Sequence, residues 1–214
     1  MIAKQIVISE SEILNKYSNL NEKVKFIIEK LYEIDKYQEE YKVTNEIKIK
    51  TILVDKELLE KSKSFSKDYR DKTGVYIFLN NNNIPVYIGF SGKGKKQDLK
   101  KRIENQLSAK DNNYSNIVTN IIKIEKELDY INLKNHFNNI EDIIVTLKLR
   151  EDYHKKRTEI RPEIDFKELQ RILLKYTSSL IIVCIGSKEN EENVKFAQAL
   201  EVILIALFNS KYNL

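Results

Sequence analysis

The sequence predicts an α+β fold, and three observations lead to this expectation. The stretch TGVYIFLNNNNIPVYIGF at 73–90 has two alternating apolar runs around four asparagines, which is typical of a β-hairpin. The continuous apolar run SLIIVCIGS at 179–187 indicates a buried strand. The stretch EENVKFAQALEVILIALF at 191–208 is typical of a strong helix. Strands and helices arranged in this way along a chain form the α+β pattern.

Helical periodicity accounts for most of the remaining chain. Residues 10–42 carry apolar positions three and four apart, which predicts amphipathic helices. The stretch 97–107 has Leu99, Ile103 and Leu107 on one stripe and predicts a helix directly after the hairpin. The alternation at 47–55 predicts a strand, and most of 115–175 has a helical pattern.

Size and composition exclude several classes of protein. The chain has 214 residues, of which 42% are hydrophobic, so it can bury a core. No apolar run approaches the about 20 residues that a membrane span needs, and no secretory signal begins the chain. A single cysteine, Cys184, excludes a disulfide framework. The cysteine and the two histidines, His136 and His154, do not provide a zinc site of the usual spacing. We expect a cytoplasmic protein with no membrane partner.

The predicted hairpin has two chemically different faces. When the turn is centred on Asn81 and Asn82, two residues lie opposite each other if their residue numbers add up to 163. Tyr76 is therefore predicted to lie directly opposite Tyr87. Because strand side chains alternate, the two tyrosines share one face with Gly89. The other face is aliphatic and is expected to carry Val75, Ile77, Leu79, Val86, Ile88 and Phe90.

The positive charge of the chain is concentrated in one segment. Residues 91–110 hold seven basic and two acidic residues, so their net charge of +5 equals that of the whole chain. A basic patch on a neutral body indicates a surface that faces a polyanion, with a solvated helix face as the alternative. The lysines expected to contact a nucleic-acid backbone are Lys93, Lys95, Lys96, Lys100 and Lys101.

Two charged residues adjoin apolar helix stripes. Glu201 lies within the predicted stripe of the 191–208 helix, together with Ala197, Leu204, Ile205 and Phe208. A buried carboxylate without a partner is costly, so Glu201 pairs with a cation, binds a metal, or lies at the stripe edge after a small helix rotation. Arg102 lies beside the stripe of the 97–107 helix, where its planar guanidinium suits phosphate binding. Its alternative role is to cover apolar surface with its stem.

Together these pieces resemble the GIY-YIG nuclease superfamily. The motif that names the family is matched by Gly74-Val75-Tyr76 and, ten residues later, by Tyr87-Ile88-Gly89. The arginine of the next family helix is matched by Arg102 in DLKKR. The metal-binding glutamate is matched by Glu201 after LIIVCIG, and the asparagine near the end of the core by Asn213 in KYNL. The resemblance covers residues 73–107 and roughly 179–214.

The resemblance implies a fold, a reaction and a role for each residue. The fold is a small three-stranded antiparallel sheet flanked by helices, and the reaction is hydrolysis of a nucleic-acid phosphodiester. A hydroxyl of Tyr76 or Tyr87 activates or orients the attacking water, and Arg102 holds the scissile phosphate. Glu201 anchors Mg²⁺ or Mn²⁺, one ion per active site. Asn213 fixes the local architecture through side-chain hydrogen bonds. The motif glycines with structural roles are Gly74 and Gly89.

Two positions depart from the family pattern. Phe90 stands where many members carry a lysine, and Gln106 stands where others carry a histidine. The lysines at 93, 95 and 96 are candidates to supply the missing cation. The expected domains are a mainly helical N-terminal extension with one strand at 1–70, a nuclease core at 71–107 and 179–214, and a mostly helical insertion at 108–178.

The expected function is that of a metal-dependent DNA endonuclease, with a restriction or defence type favoured. The alternatives are a homing, mobile-element or repair nuclease, and a catalytically inactive nucleic-acid-binding module with the same fold. The expected partner is DNA, with double-stranded DNA favoured. A homodimer is possible because one small active site cuts one strand at a time.

Overall fold

The fold is seen in a computed structural model that describes residues 22–33, 40–61, 65–92, 97–107, 117–118, 120–121 and 166–213. The helices are α1 (Glu22–Tyr32), α2 (Lys56–Glu60), α3 (Leu99–Leu107), α4 (Phe166–Tyr176) and α5 (Glu191–Phe208), with a 3₁₀ turn at Lys67–Tyr69. The strands are β1 (Tyr41–Lys42), β2 (Lys48–Leu53), β3 (Lys72–Leu79), β4 (Pro85–Ser91) and β5 (Ser179–Ser187). The predicted helices at 10–21 and through most of 115–165 lie outside the described residues.

The strands form one antiparallel sheet in the order β1-β2-β5-β3-β4. The α+β class is therefore confirmed. The expected number of strands was wrong, because the described sheet has five strands rather than three. The sequence around β2 has the alternating burial of a strand, since Ile47 and Ile49 are buried while Lys48 and Lys50 are half-buried. Such a strand can cover the edge of β5 that β3 leaves open.

The hairpin turn has three residues, at 81–83, rather than two. The Asn83 N–H donates to the Asn80 carbonyl at 2.9 Å, and Asn83 itself is left-handed with φ +57°. The Asn80 N–H then donates to the Ile84 carbonyl at 3.0 Å. The Asn80 side chain accepts hydrogen bonds from the N–H groups of Asn82 and Ile84. This is the type I turn with a left-handed third residue that is common in three-residue hairpins.

The longer turn changes the register of the strands. Tyr76 pairs with Gly89, and Tyr87 pairs with Phe78. The expected pairing of Tyr76 directly opposite Tyr87 was therefore wrong by two residues. Because strand side chains alternate with a period of two, an error of two leaves both tyrosines on the same face.

A bulge near the turn moves one side chain to the other face. The register shifts between Phe78 and Leu79, so that Leu79 pairs with Pro85 and Val86 has no direct partner on β3. Val86 packs in the cluster that contains Tyr76, and its predicted position on the aliphatic face was wrong. Pro85 begins an edge strand beside this bulge, where a missing N–H is tolerated.

The sheet is covered on both faces. The aliphatic face, with Val75, Ile77 and Ile88, packs against α1 and α5. The opposite face packs against α3, and its buried residues include Tyr76, Phe78, Tyr87, Leu99, Ile103, Leu107 and Tyr212. None of the helices in the described ranges is long and apolar enough to cross a membrane.

Helix α5 has the predicted bounds, but its buried stripe is not the predicted one. The stripe consists of Ala197, Leu200, Leu204, Leu207 and Phe208. Glu201 and Ile205, which were expected in the stripe, are half-buried. The helix is rotated so that Leu200 rather than Glu201 faces the sheet, and the carboxylate lies at the edge of the stripe.

We expect Asn83→Val to lower the free energy of unfolding by about 1–2 kcal/mol, because a β-branched residue is strained in the left-handed region. Asn83→Gly should change it by less than about 0.5 kcal/mol. The control is Asn81→Val, since Asn81 is exposed and is not left-handed. Urea unfolding gives the comparison. Equal costs for valine at 81 and 83 would contradict the turn geometry.

Candidate active site

Three of the side chains predicted for the site, those of Tyr87, Arg102 and Glu201, influence the pKa of the Tyr76 hydroxyl in β3. This hydroxyl is hydrogen-bonded to Tyr87 from β4 and to Gln106 from α3. The charges of Arg102 on α3 and Glu201 on α5 both act on the pKa of Tyr76. Groups on four separate elements, namely a tyrosine pair, an amide, a guanidinium and a carboxylate, therefore influence this one hydroxyl.

The two tyrosines are diagonal neighbours on the same sheet face. Their ring centroids lie 6.3 Å apart and the ring planes are tilted by 34°. Tyr76 is 0% exposed and Tyr87 is 6% exposed, so both phenols lie in a largely dry environment. Buried hydroxyls require hydrogen-bond partners, and each of these tyrosines has the other.

Both motif glycines have a steric explanation. A Cβ atom added to Gly89 would lie 2.5 Å from the Cζ and hydroxyl oxygen of Tyr76, whose ring lies across β4 at this position. A Cβ atom added to Gly74 would overlap the backbone carbonyl oxygen of Val183 in β5. Gly89 therefore makes room for the Tyr76 ring, and Gly74 allows β3 and β5 to approach each other.

Arg102 lies one turn into α3, whose start is fixed by Asp98. The Asp98 carboxylate accepts the N–H of Lys101 at 2.8 Å and the N–H of Asp71 at 3.1 Å. It thereby caps α3 and ties it to the start of β3. Within the described part of the chain, the half-buried guanidinium of Arg102 forms no ion pair or hydrogen bond with another side chain. Its donors are available to an anion.

Gln106 forms a hydrogen bond with Tyr76 and was not predicted as a site residue. It is buried, and its Nε2 donates to the Tyr76 hydroxyl at 3.2 Å. Its Oε1 accepts the backbone N–H of Ile117 at 3.2 Å. The sequence contained one signal for it, because Gln106 lies one turn after Arg102 on the same side of α3. No local sequence pattern predicts the contact with Ile117.

The environment of Tyr76 keeps its proton in place. Burial raises the pKa of Tyr76 above its ordinary value, and the negative charge of Glu201 raises the pKa further. Arg102 and the hydrogen bonds from Gln106 and Tyr87 lower the pKa, but burial is the largest effect. The phenol is therefore neutral near pH 7.

Glu201 is the residue with the chemistry to hold a divalent ion. Among the residues that the structure describes, no group of three His, Cys, Asp or Glu side chains is arranged to bind a metal. Mg²⁺ is commonly held by one or two carboxylates and completes its shell with water and substrate phosphate oxygens. The single half-buried carboxylate of Glu201 could supply one such ligand.

Asn213 holds the outer edge of β4. Its Oδ1 accepts the Ile88 N–H at 2.7 Å, and its Nδ2 donates to the Ile88 carbonyl at 2.6 Å. The Tyr212 N–H donates to the Val86 carbonyl at 2.8 Å. These bonds lie on either side of Tyr87 and fix its backbone. Asn213 contacts backbone and the Ser210 hydroxyl, so its contacts support a positioning role.

The predicted basic surface is only partly described. Lys93, Lys95 and Lys96 lie outside the described residues. Lys101 is exposed, whereas Lys100 forms an ion pair with Glu104 in which both side chains are mostly buried. This pair engages the Lys100 ammonium within α3, so Lys101 is the better placed of the two to meet a phosphate.

We expect Gly89→Ala to lower the free energy of unfolding by about 1–3 kcal/mol, because the new methyl group must displace the Tyr76 ring. In a Tyr76→Leu background, the same change should cost much less, since the clashing ring end is gone. A double-mutant cycle by urea unfolding measures this coupling. Additive costs would show that the Tyr76 ring does not lie over Gly89.

We expect Asn213→Asp to lower the free energy of unfolding by about 1–3 kcal/mol, because a carboxylate can accept the Ile88 N–H but cannot donate to the Ile88 carbonyl. Asn82→Asp, at the exposed tip of the turn, is the control for the added charge. Thermal unfolding of the three proteins gives the test. A loss no larger than that of Asn82→Asp would contradict the assigned edge contacts.

Comparisons with known proteins bear on the identity of the chain. No family model matches it, and no curated protein or solved structure matches it. The correspondence with the GIY-YIG motif therefore remains a resemblance, carried by the residues described above.

Proposed function

We propose that the chain is a divalent-metal-dependent endonuclease that hydrolyses phosphodiester bonds in double-stranded DNA. The observation that supports this most is that a guanidinium and a carboxylate, from two helices, act on the hydroxyl of one buried tyrosine. Phosphodiester hydrolysis needs a cation to hold the phosphate, an anionic ligand for a metal, and hydrogen-bonding groups that orient water. Arg102, Glu201 and the tyrosine pair provide these three kinds of group.

Arg102 is proposed to hold the scissile phosphate. Its guanidinium offers a planar set of donors that matches two phosphate oxygens at once. The capped start of α3 fixes the backbone from which it extends, so less side-chain freedom is lost on binding.

Glu201 is proposed to hold the metal ion. Its carboxylate provides the anionic oxygen that a hard cation such as Mg²⁺ or Mn²⁺ requires. A bound ion would polarise a phosphoryl oxygen and stabilise the leaving oxyanion. The position of Glu201 at the edge of the α5 stripe keeps the carboxylate in partial contact with solvent, which lowers the cost of its charge.

The tyrosines are proposed to orient the attacking water through hydrogen bonds. Because burial raises the pKa of Tyr76, this phenol does not act as a base at neutral pH without assistance from a cation. Orientation requires no ionised phenol, since a neutral hydroxyl both donates and accepts a hydrogen bond.

The second candidate is a nucleic-acid-binding module that has the same fold and no activity. The observation that favours it is the complete burial of Tyr76. The basic segment 91–110 supports nucleic-acid binding in both cases. Among active enzymes, a restriction or defence endonuclease is proposed first, and a homing, mobile-element or repair nuclease second.

Glu201→Gln separates the two candidates. This change keeps the size of the side chain and removes its charge, so nicking of supercoiled plasmid in Mg²⁺ or Mn²⁺ should fall at least about 100-fold. Affinity for duplex DNA in EDTA should stay within about twofold, because Arg102 and the basic segment remain. Glu192→Gln, an exposed site on the first turn of α5, is the matched control and should nick normally.

Each outcome of this experiment has a defined meaning. Full nicking by Glu201→Gln would overturn the metal role of Glu201. A wild-type protein that binds DNA but does not nick in either metal would support the binding module. Wild-type protein that neither binds nor nicks DNA would overturn both candidates.

A further inference from the structure

A short helical stretch forms hydrogen bonds to two different parts of the candidate site. The structure describes four buried residues of this stretch, at 117–118 and 120–121, and we call them the brace. The Ile117 N–H donates to the Oε1 of Gln106 at 3.2 Å. The Asn120 Nδ2 donates to the carbonyl of Tyr212 at 2.7 Å. The brace therefore contacts both α3 and the segment that follows α5.

Gln106 connects the brace to Tyr76. Its Oε1 accepts the N–H of Ile117, and its Nε2 donates to the Tyr76 hydroxyl at 3.2 Å. The two ends of an amide serve different partners, so these bonds do not compete with each other. Because Gln106 is buried, both bonds lie in a dry environment, where they hold the amide firmly.

Asn120 connects the brace to the backbone around Tyr87. It bonds the peptide group that links Tyr212 to Asn213. The Tyr212 N–H and the Asn213 side chain in turn bond the backbone of β4 on either side of Tyr87. The bond from Asn120 is short and buried, so it favours one position of this peptide group. It thereby supports the contacts that fix Tyr87.

We propose that Asn120 is a positioning residue of the endonuclease, and that the brace sets the placement of Tyr76 and Tyr87 relative to each other. The two bonds of the brace start only three residues apart, so one helical turn supports both tyrosines. The inference rests on the proposed function for the reaction that the tyrosines serve. The support of the two tyrosines by the brace does not depend on that function.

The proposed reaction is sensitive to such placement. The tyrosines are proposed to orient the attacking water, and a small misplacement of a reacting group can lower a rate by about 100-fold. Asn120 is only 9% exposed, so it acts through its buried neighbours rather than by contact with DNA. It lies within the predicted insertion at 108–178, and the inference gives this insertion a role in building the site.

The test variant is Asn120→Leu, which nearly keeps the size of the side chain and removes the Nδ2 donor. The matched control is Thr177→Val, which also keeps its size and removes a buried hydrogen bond to a backbone carbonyl, that of Leu173 at 2.7 Å. All measurements are made at a temperature at which circular dichroism shows each variant to be folded. Asn120→Ser, whose side chain is too short to reach the carbonyl, is the second variant if Asn120→Leu does not fold.

The first readout is amide hydrogen exchange of the full chain, measured by NMR without DNA. In Asn120→Leu, the N–H groups of Tyr212 and Ile88 should exchange at least about tenfold faster, because both are bonded through the segment that Asn120 holds. The N–H of Val183 in the central strand β5 reports global opening and serves as the reference. Relative to it, Thr177→Val should change neither rate by more than about twofold. Unchanged exchange at Tyr212 and Ile88 in Asn120→Leu would overturn the brace, whether or not the chain binds DNA.

The second readout is single-turnover nicking of supercoiled plasmid in Mg²⁺, with protein in excess. Asn120→Leu should lower the rate constant at least about tenfold, while its affinity for duplex DNA in EDTA stays within about twofold, because a positioning residue acts on the chemical step. Thr177→Val should change neither quantity. Normal nicking by Asn120→Leu, or equal losses in both variants, would overturn the positioning role and leave the proposed function standing. A wild-type protein that does not nick would overturn the proposed function and the positioning role together, and the exchange rates would still decide whether the brace holds the tyrosines.

Discussion

The pairing of Gly89 with Tyr76 is the constraint on which the rest of the site depends. The Tyr76 ring reaches across β4 because the residue opposite has no side chain. Only this reach brings its hydroxyl into contact with α3 and within range of the charge on α5. The register that sets this pairing comes from the three-residue asparagine turn and the bulge beside it. A shift of one residue would put the tyrosines on opposite faces and dismantle the site.

The candidate site is a polar network in a largely dry environment, so its polar atoms must form hydrogen bonds with one another. Tyr76 and Gln106 are both buried, so every polar atom they carry must find a partner. Charged groups appear only at the margin of the network, where Arg102 and Glu201 keep partial contact with solvent. A buried neutral core with charged groups at its border costs less than burying an ion pair outright. The arrangement keeps the charges in contact with solvent while the phenols stay fixed.

The sequence predicted the elements well, because their signals are local. The bounds of α5 and β5, the hairpin at β3 and β4, and the helix at α3 follow from periodicity that neighbouring residues generate. The pairing of strands depends less on neighbouring residues. The turn was read as two residues because four asparagines give no signal for which of them adopts the left-handed conformation. The rotation of α5 also escaped prediction, since this helix is apolar on nearly all sides and its stripe does not identify the sheet-facing side.

The sequence named the motif residues of the candidate site, but it did not predict the hydrogen bonds between them and residues distant in sequence. Tyr76 and Tyr87 lie on one sheet face, and the charges of Arg102 and Glu201 both influence the pKa of Tyr76. The Gln106 amide is oriented by a backbone N–H eleven positions later, at Ile117, and no spacing rule relates the two residues. The edge contacts of Asn213 join residues 125 positions apart. Such contacts are fixed by tertiary packing, so a single sequence does not contain a signal for them.

The contacts of Asn213 have a consequence for how copies of this chain can associate. An open strand edge invites another strand to join, and this is a common route to unwanted assembly. At one end of the sheet, an amide side chain occupies both backbone groups of Ile88 on β4. At the other end, the described edge strand β1 is only two residues long, which offers little for a further strand to bind. Any two copies of this chain that associate would therefore meet through helices or loops, and each would keep its own sheet.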